Sequence, residues 1–230
     1  MTGSLLLLVL LACNREQAVA PAPAATANDI ILITIDTWRA DAAGFAGNAN
    51  AKTPFLDSLA ARGIVFTNAH AHNVVTLPSH ANLLTGLLPY QHGIRDNAGF
   101  TLDPKHQTVA SRLRANGWTT GAFVAAFPLD ARFGLNQGFD LYDDNYGKGA
   151  ASLDFVLQER PASAVLATAT QWWQSVAGRK RFMWIHVYDP HAPYDGGYLN
   201  EVANVDAAFA SALAPLITDS TTIIVTGDHG

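Results

Sequence analysis

The sequence predicts an α/β fold with a mostly parallel central sheet and helices on both faces, and three observations carry that prediction. Short apolar runs rich in β-branched residues recur at 30–35, 118–125, 182–187 and 222–226. Stretches with helical patterning lie between them, an alternation that builds parallel sheets covered on both sides. Polar residues stand just after three of the runs: Asp36 after the first, Asp189 and His191 after the third, Asp228 and His229 after the last. Open parallel sheets collect their ligands at the carboxyl ends of their strands.

The chain has 230 residues, 49% of them hydrophobic and 14% charged, enough to bury one sizeable core. Its formal charge is -5 and it holds no long Lys/Arg run, which argues against a nucleic-acid polymer as partner. Residues 1–13 read as a lipoprotein signal peptide, because the apolar stretch 5–12 is too short to span a bilayer and ends in Leu10-Leu11-Ala12-Cys13, matching a bacterial lipobox. Cys13 would then carry the lipid, placing the protein on a bacterial membrane after export, at the periplasmic or outer-membrane face. An ordinary buried thiol is the alternative, and residues 1–4 lack the usual Lys or Arg. Residues 14–28, rich in Ala and Pro, read as an extended tether, leaving 29–230 as the catalytic domain. Cys13 is the only cysteine, so no disulfide forms within the chain and no cysteine serves a metal site in the domain.

The first run, Ile30-Ile31-Leu32-Ile33-Thr34-Ile35, is continuous rather than alternating, as in a strand covered on both faces. Helices are expected over 53–62, over 105–116 with Gly117 as its stop, over 160–177 with Pro161 near N1, and over 201–217. Trp172 and Trp173 are expected to pack the third of these. The stretch 140–150, dense in Gly, Asp and Asn, reads as a surface loop. In Val74-Val75-Thr76-Leu77-Pro78-Ser79-His80, Pro78 suits a first helical turn, and Gly86 suits the end of that helix. Thr76 thus falls at a helix N-terminus, where free N–H groups favour an anion, although a plain N-cap would place Thr there as readily. Two carboxylates and an imidazole ending separate strands suit Zn, Mn or Mg, although an Asp in that position also caps turns.

Several segments occur in the order found in sulfatase-like proteins: Asp36-Thr37-Trp38-Arg39-Ala40-Asp41, Thr53-Pro54-Phe55-Leu56-Asp57, Thr76-Leu77-Pro78-Ser79-His80, Leu84-Thr85-Gly86, Gln91-His92-Gly93 and Val225-Thr226-Gly227-Asp228-His229-Gly230. From residue 29 to the end the chain resembles the sulfatase family of the alkaline phosphatase superfamily. That resemblance implies an alkaline-phosphatase-like fold and a metal-dependent hydrolase of sulfate or phosphate esters. Sulfatases proper use a Cys or Ser in C/S-x-P-x-R, converted to formylglycine. Here Thr76 and His80 replace the first and last of those residues, so no formylglycine is expected. The segment is similar instead to the Thr-x-Pro-x-His pattern of nucleotide pyrophosphatase/phosphodiesterases, in which an unmodified Thr attacks phosphorus.

By that resemblance Thr76 is the nucleophile, and Asp36, Thr76, Asp228 and His229 are ligands of a divalent metal (Zn, Mn or Ca). His191 is the counterpart of the histidine brought to the scissile ester, and His80 and Asp189 are further substrate-binding candidates beside it. A turn-capping Asp and a surface His are the alternatives for Asp189 and His191. His186 lies inside a strand and reads as a satisfied core histidine, and His92 as a structural residue of the turn after the Thr76 helix. The partner implied is a small anionic ester. Sulfatase-like enzymes continue beyond the Asp-His pair, so the domain reads as C-terminally truncated. A degenerate member that binds a metal or an anion without turnover is the competing expectation.

Overall fold

The computed structural model describes residues 29–146 and 158–230; the segments expected to be a signal peptide and a tether, with Cys13, lie outside the described residues. Five strands form one sheet: β1 (Asp29–Ile35), β2 (Thr119–Phe123), β3 (Leu141–Asp143), β4 (Arg181–Val187) and β5 (Thr221–Gly227). Their order is β3-β2-β4-β1-β5 and every pairing is parallel. The helices are α1 (Pro54–Arg62), α2 (Thr76–Thr85), α3 (Pro89–His92), α4 (Val109–Ala115), α5 (Ala162–Ser175) and α6 (Tyr198–Leu213).

Side chains alternate along a strand, so the continuous apolar run of β1 supplies both faces of the sheet. Ile31, Ile33 and Ile35 pack with Met183, Ile185 and Val187 against α5 and α6, where Val165, Leu166 and Phe209 are buried. Leu32 joins Phe182 and Trp184 on the opposite face, under Leu77, Ala81 and Leu84 of α2 and Ala110 of α4. Two apolar cores therefore sandwich the sheet, as the sequence predicts. Gly121 in β2 admits the ring of Trp172, which a Cβ there would meet at 2.8 Å. Trp173 is buried under the Arg181 guanidinium, 3.9 Å from the ring centroid.

Four boundaries differ from the expected ones. The stretch expected to be a loop contains β3, three residues held to β2 because Asp140 accepts from the Thr120 amide and Arg160 donates to both the carbonyl and the carboxylate of Asp143. Thr108 caps α4 by accepting from the Ser111 amide, which delays that helix by several residues. Pro161 is the N-cap of α5 rather than its N1 residue. Finally, α6 begins three residues early and hands over to a 3-10 turn at Ala214–Leu216.

One polar contact fixes how the layers meet. Asp206 of α6 is buried and accepts from the amides of Phe55 and Leu56, at 3.0 and 2.9 Å, closing the N-terminus of α1. At the sheet's far side β5 pairs only with β1 among the described residues, and Ile224 is half exposed there. Among the described residues no helix is long and apolar enough to cross a membrane.

Candidate active site

The strands β1, β4 and β5 end side by side, Ile35 paired with Val187 and with Gly227. Asp36 extends β1 by one residue, its amide donating to the Val187 carbonyl at 3.0 Å, and its side chain is completely buried. Asp228 follows β5, and its amide donates to the Ile35 carbonyl at 3.4 Å. Its Oδ1 accepts from the amides of Thr37 and His229, at 3.1 and 2.7 Å. The Ser79 hydroxyl of α2 donates to the Asp228 carbonyl at 2.6 Å, which locks the helix onto the end of β5.

Thr76 is the first residue of α2, and its N-cap is Val75. The Thr76 hydroxyl donates to Asp36 Oδ2 at 3.2 Å and makes no cap to its own helix. The structure thus excludes the N-cap alternative: the hydroxyl points across to β1. Leu77, the next residue, donates its amide to Asn97 Oδ1, closing another free group of the first turn.

Among the buried polar atoms without a hydrogen-bond partner at this place are Asp36 Oδ1, Asp228 Oδ2 and His229 Nε2. One ligand atom from each of these residues lies within 4.8 Å of the other two. Burial pushes both carboxyls above their ordinary range; His229 and His191 partly offset this for Asp36, while Asp36 raises Asp228 further. Among the described residues no Lys or Arg forms an ion pair with either carboxylate. Two buried carboxylates with no cation are costly, and a divalent ion held by the three orphaned atoms removes that cost. The residues present therefore fit a metal, with the mixed oxygen and nitrogen set suiting Zn or Mn.

The histidines divide by what their rings touch. His229 is half-buried, with Nε2 3.4 Å from Asp228 Oδ2. His186 is fully buried; its Nδ1 accepts from the Ala125 amide at 3.3 Å, and its Nε2 lies 3.5 Å from Asp36 Oδ2 without a hydrogen bond. Burial, with a smaller push from His229, brings its pKa down to about 3, so the ring is neutral. His186 is thus a core histidine satisfied at one nitrogen only. His92 is buried in α3, with Nε2 against Asn82 at 2.6 Å and Nδ1 accepting from the Ile94 amide, a structural role as expected.

His80 lies one turn beyond Thr76 on α2. It is fully buried, with Nδ1 2.8 Å from the Thr76 carbonyl and Nε2 3.0 Å from the Thr34 hydroxyl, so neither nitrogen is open to a substrate. Asp189 stands against the start of α5. Both its carboxylate oxygens accept from the Ala162 amide, at 3.1 and 3.0 Å, so it caps α5, the alternative reading for an Asp after a strand. His191 is half-buried and stacks on Tyr188 with ring centroids 4.4 Å apart. Its Nδ1 donates to the Ala192 carbonyl at 2.7 Å, which leaves Nε2 for another partner.

Sequence reasoning missed Thr37. Its φ of 49° is left-handed, a conformation rare for a β-branched residue, and three contacts hold it there. Its amide donates to Asp228, its hydroxyl to the Pro190 carbonyl at 2.9 Å, and its carbonyl accepts from the Tyr198 hydroxyl at 2.9 Å. The turn after Asp36 is thereby tied to the ends of β4 and β5. No residue type in the sequence announces such a conformation.

A parallel sheet thus carries an acid-rich, metal-fitting cluster at the carboxyl ends of its strands. The chain belongs to the sulfatase family: the family profile "Sulfatase" matches residues 28–230. It is 36% identical over 122 residues to an "Ulvan-active sulfatase" of Formosa agariphila, a match covering 53% of this chain and 24% of that protein. A solved structure of an alkaline phosphatase superfamily protein from Vibrio parahaemolyticus superposes with a TM-score of 0.68 at 19% identity, covering 87% of this chain and 54% of that one. The phosphonate monoester hydrolase of Agrobacterium radiobacter gives a TM-score of 0.69 at 20% identity, over 88% of this chain and 62% of that one. The chain thus spans little more than half the length of these structures.

Proposed function

We propose that this chain carries the nucleophile and one metal site of a sulfuric or phosphoric ester hydrolase, with Thr76 as the attacking group. The observation that carries this reading is the Thr76 hydroxyl bonded to Asp36 beside three orphaned buried ligand atoms. Asp36, Asp228 and His229 would hold a divalent metal, with Thr76 next to it. Bound there, the ion lowers the pKa of the Thr76 hydroxyl and offsets charge on the ester oxygens.

This chain's own residues do the rest. The Thr76 hydroxyl loses its proton in the direction of Asp36 Oδ2, the atom it already faces, and its oxygen attacks sulfur or phosphorus. The ester bond to the leaving oxygen breaks, and that oxygen takes up a proton, for which His191 Nε2 is the candidate donor once the ring is protonated. Water then cleaves the ester on Thr76 and restores the hydroxyl. The sulfatase relatives favour a sulfate ester, whereas an unmodified Thr in Thr-x-Pro-x-His favours phosphorus. Export and anchoring through Cys13 would set this chemistry on a membrane surface.

The test is turnover by the purified protein loaded with zinc or manganese, offered an aryl sulfate and an aryl phosphodiester in parallel. Metal-dependent release of the aryl alcohol from either, abolished by Thr76→Ala, is the expected result. Equal release without metal, or by the variant, would overturn it.

A further inference from the structure

Behind Thr76 lies a buried unit that the proposed chemistry does not use. It comprises Thr34 of β1, Trp184 of β4, and His80 with Thr76 itself on α2, and none of the four is more than 3% exposed. The Trp184 indole donates to Thr34 Oγ1 at 3.0 Å, and the same oxygen lies 3.0 Å from His80 Nε2. His80 Nδ1 lies 2.8 Å from the Thr76 carbonyl.

The chemistry of the partners fixes every proton. A carbonyl only accepts, so His80 Nδ1 carries a hydrogen and donates it to Thr76. An indole only donates, so Thr34 Oγ1 accepts from Trp184 and has its own hydrogen to give. Among the described residues His80 Nε2 is the acceptor within its reach. A neutral His80 ring with its hydrogen on Nδ1 satisfies all four groups. A ring with Nε2–H would strand the Thr34 hydrogen.

The unit also closes on itself. Residues 34 and 36 of a strand point to the same face. One of them, Thr34, reaches the backbone of Thr76 through His80; the other, Asp36, takes the Thr76 hydroxyl directly. Thr76 is therefore held at its carbonyl and at its side chain from one strand, at the helix end that is ordinarily the most prone to fray. The His80 ring has little freedom to turn away, because it meets His186 edge-on with centroids 5.0 Å apart and Trp184 at 5.5 Å.

We propose that His80 is a positioning residue: a neutral, Nδ1-protonated strut, oriented by Thr34 and Trp184, that sets the Thr76 oxygen against Asp36. This rests on the reading of Thr76 as the nucleophile. Misplacing a reacting atom by about 1 Å costs roughly a hundredfold in rate. The strut therefore acts on kcat, without a contact to substrate.

The first measurement needs no activity. Nitrogen-15 spectra of the histidine rings, with His80 assigned by its loss in His80→Asn, are expected to show Nδ1 protonated and Nε2 bare at neutral pH in the full chain. An Nε2–H or doubly protonated ring would overturn the proposal, and so decides it even for a preparation that turns over nothing. The second compares Thr34→Val with Thr34→Ser in metal-loaded protein. Thr34→Val, which keeps shape and removes the hydroxyl, is expected to lower kcat by about tenfold or more with KM and metal content unchanged. Thr34→Ser is expected to restore it. An unchanged kcat in Thr34→Val would sink the strut, whereas full turnover in Thr76→Ala would sink the nucleophile reading and leave the ring spectrum to judge the strut separately.

Discussion

The Thr76 hydroxyl donates to Asp36 Oδ2 at 3.2 Å, linking the first residue of a helix to the end of a strand 40 positions earlier. The hydroxyl thus faces Asp36, one of the cluster Asp36, Asp228 and His229, and does not cap its own helix.

Asp228→Asn is expected to remove most of the bound divalent metal, measured by elemental analysis of the protein purified from metal-supplemented medium. Asparagine keeps the carbonyl-type Oδ1 that accepts from Thr37 and His229, so the fold is expected to persist. Full metal stoichiometry would make Asp228 a turn residue. Binding should also weaken as pH falls. Burial raises both carboxyls, so protons compete with the ion for them. In the metal-free protein the sign reverses. A folded state with raised carboxyl pKa values holds more protons than the unfolded chain, so its stability should fall as pH rises above about 4, the ordinary carboxylate value. Thermal melts across pH, with and without metal, show both trends.

Asp206→Ala is expected to cost about 1–3 kcal/mol of stability, because it leaves two buried amides at the start of α1 without an acceptor. Denaturant titration measures it. Loss below a few tenths of a kcal/mol would mean that water takes over the role. Asp206→Asn, which keeps one oxygen, should fall between the two.

Cys13→Ala tests the anchor. In a bacterial host, the variant should leave the membrane fraction or stay uncleaved, and should take up no labelled fatty acid. Unchanged lipid labelling would rule out the lipobox reading of Leu10-Leu11-Ala12-Cys13.

What the sequence made legible follows from what residue patterns encode. The covered strands β1, β4 and β5 show as unbroken apolar runs, and the polar residues after β1 and β5 sit where a parallel sheet must bring them together. Asp36, Asp228 and His229 could thus be grouped before any coordinates. The direction in which a side chain faces is not encoded this way. His80 lies one helical turn beyond Thr76, on the same side of α2, and only packing against Trp184 shows that this side is sealed. Asp189 follows its strand as Asp36 does, yet the start of α5 lies close enough to take its carboxylate. β3 was hidden because three residues among turn formers carry no period of their own; Arg160 and Asp140 make the strand from outside it.

Substitutions at Thr76 separate an attacking oxygen from one that merely holds Asp36. Because Val75 is the N-cap of α2, replacing Thr76 does not remove a cap, and the hydroxyl contributes one hydrogen bond to a buried carboxyl group. Thr76→Ala is therefore expected to change stability by only about 1 kcal/mol. Thr76→Ser and Thr76→Asn should both remain folded, since each keeps a polar atom that can face Asp36. Their activities should differ sharply. Serine retains an ionisable hydroxyl and should retain measurable hydrolysis of an aryl sulfate or phosphodiester. Asparagine and alanine remove the covalent route and should lose roughly a thousandfold or more in kcat, with metal content intact. Rapid-quench labelling should trap an ester on residue 76 in the wild type and in Thr76→Ser alone. Near-normal turnover by a metal-replete Thr76→Asn would instead assign the attack to water and leave Thr76 the task of holding Asp36.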